Sequence, residues 1–183
     1  MIGSKISKRY AKALLSLGQE DGNFQRYGED LREFSLFCDL HREFREVVAS
    51  RIYPVEERRK VLQAILEKST FTGTVKNFLY LLLDKNRMGA IEDITRYYQK
   101  LTDEISDIAR ATVISTGPLK GGTRDRLEKV LGDLTSKKVM LQEREDKSLI
   151  GGIVVKIGDL VLDGSIKAQL EGLKESLKRG EYS

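Results

Sequence analysis

Lys147 to Leu177 reads KSLIGGIVVKIGDLVLDGSIKAQLEGLKESL, and this stretch decides the fold. Ile153, Val155 and Ile157 alternate with Val154 and Lys156, the period of two expected of a half-buried strand. Gly158-Asp159 then separates that run from Leu160-Val161-Leu162. A two-residue Gly-Asp loop suits a type II′ turn, because glycine takes positive φ without the steric cost of a β-carbon. Residues 152–163 are therefore predicted as a β-hairpin. Asp163-Gly164-Ser165 breaks the strand pattern and offers either Asp163 or Ser165 as an N-cap. Beyond it, Ile166, Leu170, Leu173 and Leu177 recur at helical spacing among lysines and glutamates. The stretch is a hairpin feeding an amphipathic helix.

Working back from the hairpin, the period of two returns at Asp107. Ala109, Ala111, Val113 and Ser115 alternate with Arg110, Thr112 and Ile114 until Gly117-Pro118. Thr123 is placed to cap a helix through Leu127, Val130, Leu131 and Leu134, and Val139, Leu141 and Glu143 mark another strand. The order β-α-β-β-β-α predicts a small α+β domain over residues 107–183. Before residue 107 the spacing is helical throughout. Ile6, Tyr10, Ala13, Leu14 and Leu17 open the first helix, and Phe24, Tyr27, Leu31, Phe34 and Phe37 the second. A short third helix carries Phe44, Val47 and Val48, and Pro54 suits the first turn of a fourth with Val55, Val61, Leu62, Ile65 and Leu66. Thr72 or Thr74 starts a fifth through Val75, Phe78, Leu79, Leu82 and Leu83, stopped at Asn86-Arg87-Met88-Gly89. Ile91, Ile94, Tyr97, Leu101 and Ile105 define the sixth. The expectation is a mostly α chain, with a six-helix bundle over residues 1–106 followed by the α+β domain.

Composition supports that division. Twelve of the 13 aromatic residues lie at or before Tyr98, and the other is Tyr182, so the two cores are built from different side chains. Charge divides evenly: residues 1–106 hold 18 Lys+Arg against 16 Asp+Glu, and residues 107–183 hold 14 against 12. Neither half is a basic arm, and the net charge of +4 carries no nucleic-acid signal. One cysteine excludes an internal disulfide. Met1-Ile2-Gly3-Ser4 leads into an amphipathic pattern without a secretory or transit stretch. The longest apolar run, Phe78 to Leu83, is too short to span a bilayer, so membrane association is expected only through partners.

Each chemical motif has a plainer reading. Gly117 to Thr123 has the glycines of a phosphate loop, but Gly122 is followed by Thr123 rather than lysine; it reads as a turn and a cap. Cys38 and His41 are one helical turn apart, with no further Cys or His in the chain, and two ligands do not make a metal site. Asp159 and Asp163 sit at turn positions, where aspartate serves local backbone hydrogen bonds rather than acid–base chemistry. No catalytic residue, metal or cofactor is expected. An RNA-binding or ribosome-associated adaptor is the alternative from another class. Residues 99–181 lack the aromatics on which an RNA-recognition sheet stacks bases, and no two glycines are spaced for a Gly-x-x-Gly loop. What remains is apolar surplus on the first and fifth helices: Tyr10 and Ala13 are not all needed alongside Ile6, Leu14 and Leu17, and Phe78, Leu79, Leu81, Leu82 and Leu83 exceed one core stripe; an exposed groove for a partner helix would use it.

Leu149-Ile150-Gly151-Gly152, Gly158-Asp159, Asp163-Gly164-Ser165, Leu170 and Leu173, in this order and spacing, resemble the C-terminal signature of the delta subunit family of F-type ATP synthases, whose mitochondrial homologue is the oligomycin-sensitivity-conferring protein. Tyr10-Ala11-Lys12-Ala13-Leu14 is similar to the family's first-helix pattern. Lys85-Asn86-Arg87 resembles the end of its fifth helix, but without the usual glycine. The resemblance implies a non-catalytic stator of the peripheral stalk, on the cytoplasmic face of the bacterial plasma membrane. It implies that the helical domain binds alpha-subunit N-termini through Tyr10, Ala13, Asn77 and Leu81. The C-terminal domain would meet the b subunits, with Ile166, Leu170, Leu173 and Leu177 offered to the sheet or to a b helix. Gly151, Gly152, Gly158, Asp159, Asp163, Gly164 and Ser165 are the structural motif.

Overall fold

A computed structural model describes residues 4–119 and 121–180. The readings that rest on Met1 to Gly3, on Lys120 in the glycine-rich turn and on Tyr182 lie outside the described residues. The chain is mostly helical with one small mixed sheet, and it divides into two compact units, Met1–Thr102 and Asp103–Ser183.

The first unit contains α1 (Lys5–Glu20), α2 (Phe24–Leu40), α3 (Arg42–Ala49), α4 (Val55–Leu66), α5 (Gly73–Asp84), a 3-10 turn at Met88–Ala90 and most of α6 (Ile91–Ile105). Its core takes Leu14 and Leu15 of α1, Leu31 and Phe34 of α2, Leu62 and Leu66 of α4, and Ile94 and Tyr98 of α6. α5 contributes most densely, burying Val75, Phe78, Leu79, Leu82 and Leu83. Each such side chain contributes roughly 1.5–3 kcal/mol on burial, so the placement of α5 matters to the whole unit. Leu17 and Val61, expected in their helices' apolar stripes, are exposed instead. The stripes are narrower than their spacing suggested, because small buried residues such as Ser7, Ala11 and Gly18 occupy the inner face of α1.

Both ends of α5 are fixed by buried polar groups. At its start, Thr72 is the N-cap and accepts a hydrogen bond from Val75 N–H. The buried Asp30 carboxylate of α2 accepts from Thr72 N–H at 2.8 Å and from its hydroxyl at 2.9 Å. At its end, Arg87 N–H donates to Leu82 O and Asn86 N–H to Leu83 O. That is the Schellman pattern, with Asn86 itself at φ 53° in place of the glycine the sequence lacks. Asn86 has a second role. Its side-chain oxygen accepts at 2.8 Å from Arg58, whose guanidinium is buried beneath α3 and also reaches Val48 O.

The second unit runs β1 (Ile108–Ser115), α7 (Thr123–Thr135), β2 (Lys138–Glu145), β3 (Ile153–Ile157), β4 (Leu160–Asp163) and α8 (Ile166–Gly180). The strand order is β2-β1-β3-β4. β1 pairs parallel with β2 across the α7 crossover and antiparallel with β3, in register Val113↔Val155. β3 and β4 form the hairpin, with Ile157↔Leu160 closing its turn. Gly158 there has φ 57° while Asp159 stays at negative φ, as a II′ rather than a I′ turn requires. Ala111, Val113, Val139, Leu141, Val155 and Ile157 share a core with Leu131 of α7. Gly122, at φ 80°, takes the N-cap position of α7 that Thr123 was expected to hold. Val130 and Leu134, expected in the core, face outward.

Asn86→Ala should cost more than Asn86→Gly. Both strand the Arg58 guanidinium, a loss of roughly 1–3 kcal/mol. Glycine regains about 1 kcal/mol of that loss, because it alone drops the β-carbon that Asn86 holds at positive φ. Urea denaturation of the two variants checks the order; equal stabilities would mean that φ at Asn86 is not a constraint.

Candidate interaction surfaces

Residues 151–166 form a joint between the sheet and α8. Ser165 is buried and accepts a hydrogen bond from Ala168 N–H, so it is the cap of α8. Asp163 accepts from Ser165 N–H at 2.9 Å and fixes the turn into that cap. Hydrogen bonds from Ser165, side chain first and backbone second, hold the Asp163 carboxyl below its ordinary value. Of the two capping residues offered by the sequence, one caps the helix and the other braces the cap. Gly164 N–H donates to Ile153 O and Ile166 N–H to Gly151 O, lacing the helix entry to the start of β3. At Gly152, φ is 84° and a β-carbon would lie 2.3 Å from Gly164 O and 2.8 Å from Ser165 Cα. At Gly151 it would meet the end of the Ile166 side chain. Gly151, Gly152, Asp163, Gly164 and Ser165 thus come together in one place. Gly158 and Asp159 sit apart at the hairpin tip, where a β-carbon on Gly158 would meet nothing.

Past this joint α8 is little covered. Ile166, Leu170, Leu173 and Leu177 are 41, 56, 57 and 63% exposed. None belongs to the sheet's core cluster. Of the two destinations offered for this stripe, the sheet does not take it up. Leu160, Val161 and Leu162 of β4 are exposed as well.

In the first unit the Tyr10 ring packs edge-on against Phe78, with centroids 6.3 Å apart, which sets α1 beside α5. Tyr10 is half-buried, while Ala13 and Asn77 are exposed on the same two helices. Leu81 is 43% exposed, whereas Leu79, Leu82 and Leu83 are buried. The apolar surplus read from the sequence is therefore surface at Leu81 and part of the core at Phe78. Sequence reading missed Leu36, Leu40 and Ile52, which are exposed. Leu36 and Leu40 are one turn apart on α2 and off its Tyr27-Leu31-Phe34 stripe, a signal that was available. Close by, Phe37, Leu40, His41, Phe44 and Ile65 line an open cleft of ≈ 690 Å³.

Catalytic chemistry finds little support in these surfaces. His41 is exposed and its ring lies 4.3 Å from that of Phe37. Burial pushes the Cys38 thiol up to about 11, so it is a neutral filler at neutral pH. Among the described residues no three His, Cys, Asp or Glu side chains are grouped to hold a metal. No described helix is long and apolar enough to cross a membrane.

Residues 6–177 match the family model described as the ATP synthase delta (OSCP) subunit. The chain is similar to ATP synthase subunit delta of Desulfosudis oleivorans, 44% identical with 96% of each chain covered. It is likewise similar to that of Desulfatibacillum aliphaticivorans, 44% identical over 97% of each, and of Geobacter metallireducens, 37% identical over 98% of this chain and all of the relative. Among solved structures, a chain of the Toxoplasma gondii mitochondrial ATP synthase hexamer shares the fold. It has a TM-score of 0.72 at 19% identity, covering 95% of this chain and 98% of that one.

Gly152→Ala should unfold the joint where Gly158→Val only strains it. The first drives a methyl group into backbone at a positive-φ site; the second pays strain alone, about 1–3 kcal/mol. Thermal unfolding followed by circular dichroism should rank Gly152→Ala as the less stable. The reverse order would rule out the close approach to Gly164.

Proposed function

The chain belongs to the ATP synthase delta (OSCP) subunit family, and from that premise we propose that its two units are the two ends of a mechanical tie. It is a peripheral-stalk subunit of F-type ATP synthase, a structural rather than a catalytic component. We take residues 1–106 as a six-helix bundle that binds the N-terminal segments of alpha subunits. Residues 107–183, in β-α-β-β-β-α order, meet the C-terminal ends of the b subunits. The protein works at the cytoplasmic face of the bacterial plasma membrane, held there by its complex. Nothing supports the RNA-binding alternative.

The observation that supports the two ends is that each unit has its own exposed apolar residues on a helix. Leu81 lies one turn from Asn77 on α5, the helix that meets α1 at Tyr10–Phe78, and α1 carries the exposed Ala13; the α8 stripe stands in the other unit. A stator must resist torque without letting go, and each surface is modest. Two tethered contacts meet that demand, because after the first forms, the second closes at high effective concentration. Tyr10, Ala13, Asn77 and Leu81 would form the alpha-binding surface. Ile166, Leu170, Leu173 and Leu177 would form the stalk surface.

Leu81→Asp tests the first end. Leu81 is exposed, so the fold should survive, and binding of an alpha-subunit N-terminal peptide to the full chain should weaken at least tenfold, about 1.4 kcal/mol. Isothermal titration gives the affinity and circular dichroism the fold. Unchanged affinity in a folded variant would remove α1–α5 as the docking surface.

A further inference from the structure

The α8 stripe has a register. Ile166, Leu170, Leu173 and Leu177 are spaced four, three and four residues apart, the d-a-d-a spacing of a heptad seam. All four are exposed, and Ala168, on the opposite side of the helix, is half-buried. The seam therefore faces outward, and its first residue, Ile166, lies over Gly151 at the joint. In this register Lys167 and Lys174 occupy the e positions, and Gln169 and Ser176 the g positions; all four are exposed. Lys167 also faces Asp163, whose carboxyl it helps to hold down. Glu171 and Glu175 fall at b and f, away from the seam. The seam is thus bordered by positive charge on one side, by neutral polar groups on the other, and by no acid.

Resting on the reading of α8 as the stalk contact, we propose that α8 pairs in heptad register with one partner helix, whose apolar seam is flanked by acidic residues opposite Lys167 and Lys174. Charge along the edges of such a pair selects partner and orientation more than it adds affinity. A second copy of this chain is a poor occupant on the same grounds. Parallel self-pairing sets the lysines against Gln169 and Ser176, and antiparallel self-pairing sets the lysine edge against itself.

The test uses the full chain and two synthetic three-heptad helical peptides with identical leucine seams, one with glutamate and one with lysine at every e and g position. Fluorescence anisotropy should show the glutamate peptide binding about tenfold tighter or more at low salt, with the advantage shrinking as salt screens it. Lys167→Glu/Lys174→Glu should invert the preference, and Leu173→Asp should abolish binding of both peptides. Equal binding of the two peptides, or a preference unmoved by charge reversal, would overturn the proposal. So would sedimentation showing a dimer that Leu173→Asp dissolves. Capture of the solubilised peripheral stalk by the chain, with the headpiece absent so that the α1–α5 surface cannot hold it, separates this proposal from the reading beneath it. If the Leu173→Asp chain still joins the stalk, the stalk reading of α8 falls and this inference with it. If Leu173→Asp is excluded while the charge-reversed chain assembles with unchanged salt sensitivity, the stalk reading stands and the acidic-helix inference alone fails.

Discussion

The second unit depends on a backbone crossing that admits no side chain. Gly152 enters β3 at positive φ, directly against the carbonyl of Gly164 and the Cα of Ser165. Because the two segments touch there, Gly164 N–H reaches Ile153 O and Ile166 N–H reaches Gly151 O. Those bonds set where α8 starts and, through Ser165 as its cap, in which direction its first turn grows. In the proposed stalk role α8 would transmit force, and such a helix needs a root fixed by several short bonds, since a flexible linker would stretch before it pulled. Gly151, Gly152 and Asp163-Gly164-Ser165 supply that root, which is why these five residues cluster in space although they spread over 15 positions in the chain.

The helical unit solves a related problem with polar groups rather than glycines. α5 is its most apolar helix and would slide along its own axis if hydrophobic contact alone held it, because apolar burial is not directional. Asp30 pins its start through Thr72, and Arg58 pins its end through Asn86. A buried guanidinium bound to an amide and a carbonyl rather than a carboxylate is costly to desolvate. The gain is a fixed axial position for the helix that carries Leu81. A docking surface made of two adjacent helices keeps its shape only if neither moves past the other.

Much of this was legible in the sequence because backbone period and turn chemistry are local. The alternation in Ile153–Ile157, Gly158-Asp159 at the hairpin tip and the spacing of the α8 leucines each rest on residues within a few positions of one another. What was not legible depends on partners distant in the chain. Asn86 standing in for glycine is explained only with Arg58, 28 positions earlier. Asp30 reads as one more surface charge until Thr72 is brought to it. Leu17, Val61, Val130 and Leu134 sit at good helical spacing and still face outward, because spacing gives a stripe its direction but not its width. The four leucine-type residues of α8 could be read for the sheet or for a partner, and only the folded sheet, with its core filled by α7, decides against the first.

In a rotary enzyme the stator makes no bond and breaks none; it keeps the catalytic head from turning with the rotor. Loss of a tie should therefore separate coupling from chemistry. The direct measurement is to delete residues 166–183, reconstitute the complex in membranes, and assay proton-driven ATP synthesis beside ATP hydrolysis by the solubilised headpiece. Synthesis should be abolished while headpiece hydrolysis persists. If hydrolysis collapsed along with synthesis, or if synthesis survived the loss of α8, a purely mechanical role through α8 would be contradicted.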